Sequence, residues 1–348
     1  MILNNNRNFL VNNIIFNQNF DLILISTNVG FIIYTTSPFT KLRQQIFGFN
    51  VNLIESYFNT NLIFLTGDFL DNCDNYNKII IIYDDHLQKI IGKILNNKYI
   101  FNIKVNKKYI VFCDEDTIYT YNFKDLKFIN KYNYFKNDLN INFSLSVYCN
   151  NYLIMLVDIN KLCIINLDNN STKILTTKDK KMIQFFILSK DGKYLATTSS
   201  GHKIQIFDVI NTILVRILKR GTMSCNIKSI YFSIRNDKII VTSDLSTIHI
   251  FINEKEYNYK INKSILNKIS KYFDYDFFNY DFSYNRINLN NSNKIACLLS
   301  NDKFIIFEIS SNPNCIFHQG SLVDENTNIE CNNVIQLSDL IYIDPNNN

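Results

Sequence analysis

Residues Tyr194–Asp208 read YLATTSSGHKIQIFD, and Lys238–Phe251 read KIIVTSDLSTIHIF. Each is a short apolar run, a polar turn and a second apolar run. The two can be laid over one another. Runs of this length, rich in β-branched and aromatic residues and bounded by polar turns, read as paired strands. The same pattern recurs in Leu22–Ser26 with Gly30–Tyr34, Leu62–Leu65 with Ile79–Tyr83, and Tyr109–Cys113 with Ile118–Tyr121. It returns in Tyr152–Leu156 with Leu162–Ile165 and in Lys294–Leu299 with Phe304–Phe307.

Seven pairs result, starting at 22, 62, 109, 152, 194, 238 and 294. A period of roughly 40–45 residues built on paired strands is the signature of a β-propeller with four-stranded blades. The expected fold is therefore all-β, a WD-repeat-like seven-bladed β-propeller occupying 1–348 as one domain. A strand from one terminus is expected to complete a blade of the other. The chain has no Trp, so the usual Trp-Asp dipeptide is absent; Tyr83-Asp84 and Phe207-Asp208 stand in its place.

The composition agrees. Hydrophobic residues make up 47% and charged residues 19%, enough for a core and unlike a disordered chain. Abundant Asn and Lys read as base-composition bias that fills loops. The eight cysteines are scattered, with no C-x-x-C and no Cys/His cluster, so neither a metal site nor a redox motif is expected. They read as buried thiols of a reducing compartment. No signal peptide opens the sequence and no apolar run is long enough to span a bilayer, so a soluble, cytoplasmic protein is expected. There is no Gly-rich phosphate loop, no G-x-S-x-G and no paired-His metal motif. Catalysis and a cofactor are not expected.

The net charge of +5 is concentrated. Between Val215 and Tyr275 stand eleven Lys and Arg against five acids. A localised basic region implies an anionic partner, a phospholipid surface or a nucleic acid; the plainer alternative is a solvated Lys-rich face. Within it, Leu218-Lys219-Arg220-Gly221 falls between the two units quoted at the outset. Neighbouring residues of a strand face opposite sides, so the two cations can serve one unit each.

With that tetrapeptide in place, the chain resembles the PROPPINs, the phosphoinositide-binding propellers that include the WIPI proteins. Asn17–Phe20, Gly30–Tyr34 and Pro38-Phe39 look like the family's first blade, and Tyr119–Lys127 like its third. Ser189–Ser199 and Ser243–Phe251 look like blades five and six, and Lys271 onward like the return from a long blade-six loop.

The resemblance implies that Lys219 and Arg220 stand where the family's Phe-Arg-Arg-Gly carries two arginines, each serving one lipid pocket. Lys is a point charge where Arg forks bidentately onto phosphate, so geometric specificity falls at Lys219. The second pocket would comprise Arg220, Gly221, Ser243, Thr247 and His249, the imidazole gaining charge beside an acidic lipid. The first has drifted: His202 replaces a Thr, Ile204-Gln205 an Ile-Arg, and Ser200 and Lys203 would compensate. His202 and His249 both fall at or near the second apolar run of their units; a histidine there can equally be a structural strand residue.

After Phe251, Lys260–Phe273 places Ile261, Ile265, Leu266, Ile269 and Phe273 at helical spacing, with Lys260, Lys263, Lys268 and Lys271 among them. A basic amphipathic helix reads as a membrane-surface element, or else as a helix packed on the propeller. The family's blade-six loop inserts into the bilayer, which marks 254–272 as the membrane-contacting segment.

The implied function is docking on membranes bearing phosphatidylinositol 3-phosphate or the 3,5-bisphosphate and recruiting autophagy-type machinery, including support of ubiquitin-like modifier lipidation. The protein would be a monomer in solution, peripherally recruited to autophagosomal, endosomal, vacuolar or plastid-related membranes, with a protein partner on the propeller rim. The alternative is a protein-interaction propeller whose lipid binding has weakened or gone. Nucleic-acid scaffolding fits the charge but lacks aromatic residues interleaved for base stacking.

Overall fold

The computed structural model describes residues 10–68, 77–135, 143–252, 280–283, 285–288, 294–298, 303–309, 315–321 and 333–336. Among them the chain is all-β, with seven sheets following one another along the sequence, six of four strands and one, the fifth, of four strands plus an added edge strand. These are the blades of a seven-bladed β-propeller.

All seven apolar pairs expected from the sequence are adjacent strands. In the first six sheets they are the second and third strands, as in Leu22–Thr27 with Gly30–Thr36, or Ile79–Asp84 beside Leu62–Gly67. Both faces of these strands are covered, which is why they read as unbroken apolar runs. The fourth strands are different. Phe39–Ile46, Lys89–Leu95, Phe128–Asn133 and Ser171–Thr176 are exposed along most of their length and carry polar residues throughout.

In the seventh sheet the apolar pair, Lys294–Leu298 with Lys303–Ile309, is the first and second strand. First strands thus begin at 11, 51, 102, 143, 185, 227 and 294. Six blades are spaced by 40 to 51 residues, and the chain then travels 67 before the seventh opens. The excursion inside blade six, between its third strand and Asn285–Asn288, therefore makes this interval larger than the spacing of apolar pairs suggests. No described sheet joins a strand from the start of the chain to strands from its end, so the expected exchange of a terminal strand is not found among the described residues.

Turn chemistry repeats with the blades. Between first and second strands a side-chain oxygen accepts the N–H that opens the second strand: Asn17 for Leu22, Asn106 for Tyr109, Ser146 for Tyr152, Ser189 for Tyr194 and Ser233 for Lys238. These side chains close the turn locally, as Asx and Ser/Thr turns do. Asp84 and Asp208 end third strands and accept the N–H of Leu87 and Asn211 at 2.9 and 2.7 Å. They hold the next hairpin without a Trp partner.

The described residues form two compact units, Met1–Tyr132 with Ile309–Phe317 and Val334–Asn348, and Asn133–Glu308 with His318–Asn333. In the first, sheets one and two bury Leu24, Phe31, Ile63 and Tyr83 between them, and sheets two and three bury Phe64, Ile80, Ile103 and Phe112. In the second, sheets four and five enclose Ile154, Ile164, Phe186 and Leu195. Sheets five and six enclose Ala196, Ile206, Leu218, Val241 and Phe251.

Candidate anion-binding site

The site lies in the second unit, on blades five and six. Leu218 is fully buried in the core between them. Lys219, the next residue, ends the strand Ile213–Lys219, with Lys203 its partner directly across the ladder. Directly opposed residues of an antiparallel pair share a face, so the two ammonium-bearing side chains leave the sheet on the same side.

Arg220 lies just past the strand. Its N–H reaches the His202 carbonyl at 2.9 Å, and its side chain is only 2% exposed. The guanidinium donates from Nε to the Gly201 carbonyl at 2.8 Å and from one terminal nitrogen to the Met223 carbonyl at 3.0 Å. Neither acceptor is a carboxylate. Gly221 plays no comparable part, since a β-carbon there would meet nothing within 4 Å.

Gly201, which nothing in the sequence singles out, is the glycine that the site requires. Its φ is +69°, and a β-carbon would stand 2.3 Å from the carbonyl oxygen of Cys225. No other residue type lets the 200–202 turn approach the chain after Arg220 so closely.

On the blade-five side, the Ser200 hydroxyl and His202 Nδ1 are 2.5 Å apart. Burial and, next, the Lys203 charge hold the His202 imidazole below its ordinary range, while nearby Asp179 opposes them. Asp179 also accepts a hydrogen bond from Ser199 at 2.7 Å. This group therefore includes a carboxylate that the sequence does not place there, which weakens it as an anion site.

On the blade-six side, Ser243 is fully buried at the end of Lys238–Ser243. Thr247 and His249 alternate onto one face of Thr247–Ile252, with Thr247 Oγ1 3.1 Å from His249 Nε2. His249 Nδ1 lies 3.2 Å from the Ser283 hydroxyl. Burial pushes this imidazole down to about 4, and Arg220 and Arg286 push it further the same way. Without a ligand, burial first and the two guanidinium charges second favour the neutral imidazole, so any charge on His249 has to come with a bound anion, as the sequence reading expects beside an acidic lipid.

Arg220 thus acts on both imidazoles rather than on one. Burial raises the nearby Cys225 thiol above its usual range, with the Arg220 charge opposing. Ser283 and Arg286 are further residues brought here by the fold. The expected membrane-contacting residues Lys260, Ile261, Lys263, Ile265, Leu266, Lys268 and Ile269, with all of 254–272, lie outside the described residues.

That segment has described flanks. It leaves from Ile252 in blade six and returns as Tyr280–Phe282, which pairs in parallel with Ile217–Lys219 at the edge of blade five. Arg216 joins the two flanks, donating to Asp281 at 2.5 Å and to the Ile252 carbonyl at 3.0 Å.

The sequence model of the PROPPIN family matches residues 11–298. The chain belongs to the PROPPIN family. Among curated relatives of this PROPPIN, Autophagy-related protein 18 of Dictyostelium discoideum is 28% identical over 239 residues, covering 68% of this chain and 63% of its own length. Autophagy-related protein 18 of Caenorhabditis elegans is 25% identical over 260 residues, covering 70% and 61%. The chain spans just over three fifths of the length of these relatives.

Among solved structures, Hsv2 of Kluyveromyces marxianus superposes with a TM-score of 0.74 at 17% identity, over 94% of this chain and 98% of that one. KlAtg21, solved with the coiled coil of AgAtg16, gives 0.70 at 18% identity, over 90% and 95%. At these identities the likeness establishes the propeller fold. No helix among the described residues is long and apolar enough to cross a membrane.

Proposed function

We propose that this PROPPIN is a phosphoinositide-binding membrane effector that recognises phosphatidylinositol 3-phosphate or the 3,5-bisphosphate and recruits autophagy-type machinery, including that for lipidation of a ubiquitin-like modifier. It acts as a binding protein, without catalysis or cofactor, and docks from the cytoplasm on autophagosomal, endosomal, vacuolar or plastid-related membranes.

Arg220 carries this reading. A buried charge is stable only when paired and hydrogen-bonded. Its guanidinium is oriented by two backbone carbonyls and meets no carboxylate among the described residues. Ser243, Thr247 and neutral His249 stand beside it as hydrogen-bonding groups, a set that complements a phosphate monoester. Lys219 and Lys203 face the same side on blade five, and an anion bridging them relieves their mutual repulsion. Ser200 and His202 complete the proposed contacts as hydrogen-bonding groups rather than as charges. Segment 254–272 would add membrane contact, and tethering several weak contacts to one propeller multiplies their effect.

The test is flotation of the purified protein with vesicles bearing each phosphoinositide in turn, beside the Lys219→Thr/Arg220→Thr double variant and with thermal melts of both. Selective binding that the variant loses supports the reading. Binding of the variant equal to that of the parent, or binding to every anionic vesicle alike, sinks it.

A cavity of about 520 Å³ between blades two and three favours a second activity on the rim. Phe64, Ile82, Ile91 and Leu126 line it together with Lys107 and Lys124. An apolar groove with lysines in its lining suits an amphipathic helix with acidic flanks, such as one helix of a coiled coil; KlAtg21 was solved with such a partner. If this PROPPIN is instead a scaffold that has lost lipid binding, partner capture will survive removal of phosphoinositides and will be lost in Lys107→Glu/Lys124→Glu.

A further inference from the structure

We propose that the limb returning from the blade-six excursion supplies Arg286 and Ser283 as further ligands of the second anion site, so that one phosphate monoester is held between two guanidinium groups, those of Arg220 and Arg286.

The placement follows from register. Arg286 is the residue directly across the ladder from His249, on the strand Asn285–Asn288 that forms the fourth strand of blade six. Directly opposed residues share a face, so Arg286 stands on the face that carries His249 and Thr247. Arg286 Nε donates to the Ser283 hydroxyl at 3.0 Å, and the same hydroxyl lies 3.2 Å from His249 Nδ1. The three side chains form one chain of contacts. Arg220 approaches the imidazole from the blade-five side, and both guanidinium groups disfavour its protonation.

The chemistry matches a dianion. A phosphate monoester carries between one and two negative charges near neutrality, and Arg presents the planar fork that phosphate oxygens take bidentately. Lys219 has no such fork. Arg286 restores a second one from a different strand, and its exposed position leaves it able to meet a headgroup arriving from solvent. Arg286 is also anchored six residues after the excursion returns, so the element expected to touch membrane and the second cation of the site are covalently close.

This inference rests on the anion reading of the site, and the experiment separates the two. Arg286→Gln, Arg286→Lys and the parent are floated with phosphatidylcholine vesicles containing phosphatidylinositol 3-phosphate, and the same proteins are titrated with inorganic phosphate while the His249 ring signals are followed by NMR. The expected result is a loss of vesicle affinity of about tenfold or more in Arg286→Gln, the scale of one charge-assisted hydrogen bond, with partial recovery in Arg286→Lys and an unchanged melt. The His249 titration of ligand-free Arg286→Gln should also move upward, which a merely structural role would not produce.

Vesicle binding by Arg286→Gln equal to that of the parent overturns the inference and leaves the lipid reading intact. If the parent floats with no vesicle, the lipid reading fails and the phosphate titration decides. A ring shift that Arg286→Gln abolishes then upholds the two-guanidinium site for free phosphate. An equal shift in both proteins, or none in either, overturns it.

Discussion

Gly201 and Cys225 touch backbone to backbone: a β-carbon on the first would lie 2.3 Å from the carbonyl oxygen of the second. That contact sets the distance between the blade-five turn and the chain leaving Arg220, whose guanidinium is bound to the Gly201 carbonyl. Gly201→Ala must both adopt a φ near +69° and push Cys225 away. The expected cost is about 1–3 kcal/mol of folding stability, measured as a lower urea midpoint with unchanged slope, together with weaker anion binding.

His249 gives the site a pH dependence whose sign can be worked out. Its folded-state value of about 4 is below the ordinary imidazole value near 6.5. The unfolded chain therefore binds more protons in that window, and stability is lost as pH falls from about 6.5 toward 4. Arg220 and Arg286 are the charges that face the ring. His249→Gln should flatten this part of the stability profile, measured by thermal melts across pH.

Ligand affinity should change in the opposite direction. A bound phosphate offsets both guanidinium groups and lets the imidazole take up a proton, so binding tightens as pH falls toward 5. Vesicle flotation at pH 5.5 and 7.5 should show stronger binding at the lower value, and His249→Gln should show little difference.

Arg216 and Asp281 form an ion pair whose side chains are 9% and 20% exposed. Arg216→Gln leaves a half-buried carboxylate without this partner, and a loss of about 1–3 kcal/mol is expected. A double-mutant cycle with Asp281→Asn should return a coupling energy above about 1 kcal/mol. Additive single effects would show that the pair does not join the flanks of the excursion.

Lys219→Arg should strengthen phosphoinositide binding. It restores a bidentate donor at the blade-five side without altering charge, and a gain of roughly threefold to tenfold is expected, on the scale of a partial charge-assisted hydrogen bond. An unchanged vesicle affinity would mean that the Asp179 carboxylate has closed that side to anions.

What could be read from the sequence follows burial. Second and third strands such as Ile79–Asp84 are covered on both faces and leave an unmistakable apolar run. Fourth strands such as Phe39–Ile46 are open to solvent, so their composition is that of loops and they merge with their turns. In blade seven the same bias marks the first two strands, and the excursion before it looks eleven residues shorter than it is. Lys219, Arg220, Ser243, Thr247 and His249 were legible because they lie on or next to such runs. Gly201 acts through backbone geometry, which composition does not record. Arg286 and Ser283 follow a long low-contrast stretch, and only the ladder register opposite His249 places them in the site.

Among the described residues, blade five differs from its six fellows in having a fifth strand, Tyr280–Phe282, laid along the outer edge of Ile213–Lys219. A bare outer strand is a template on which another chain can pair, and sheet proteins guard such edges with charge, bulges or cover. Here the cover comes from the protein itself, along the strand that ends in Lys219. If the proposed docking on an anionic bilayer holds, crowding there would bring molecules with these faces side by side. The added strand denies them the ladder through which they could join into a fibre, so high local density need not become aggregation.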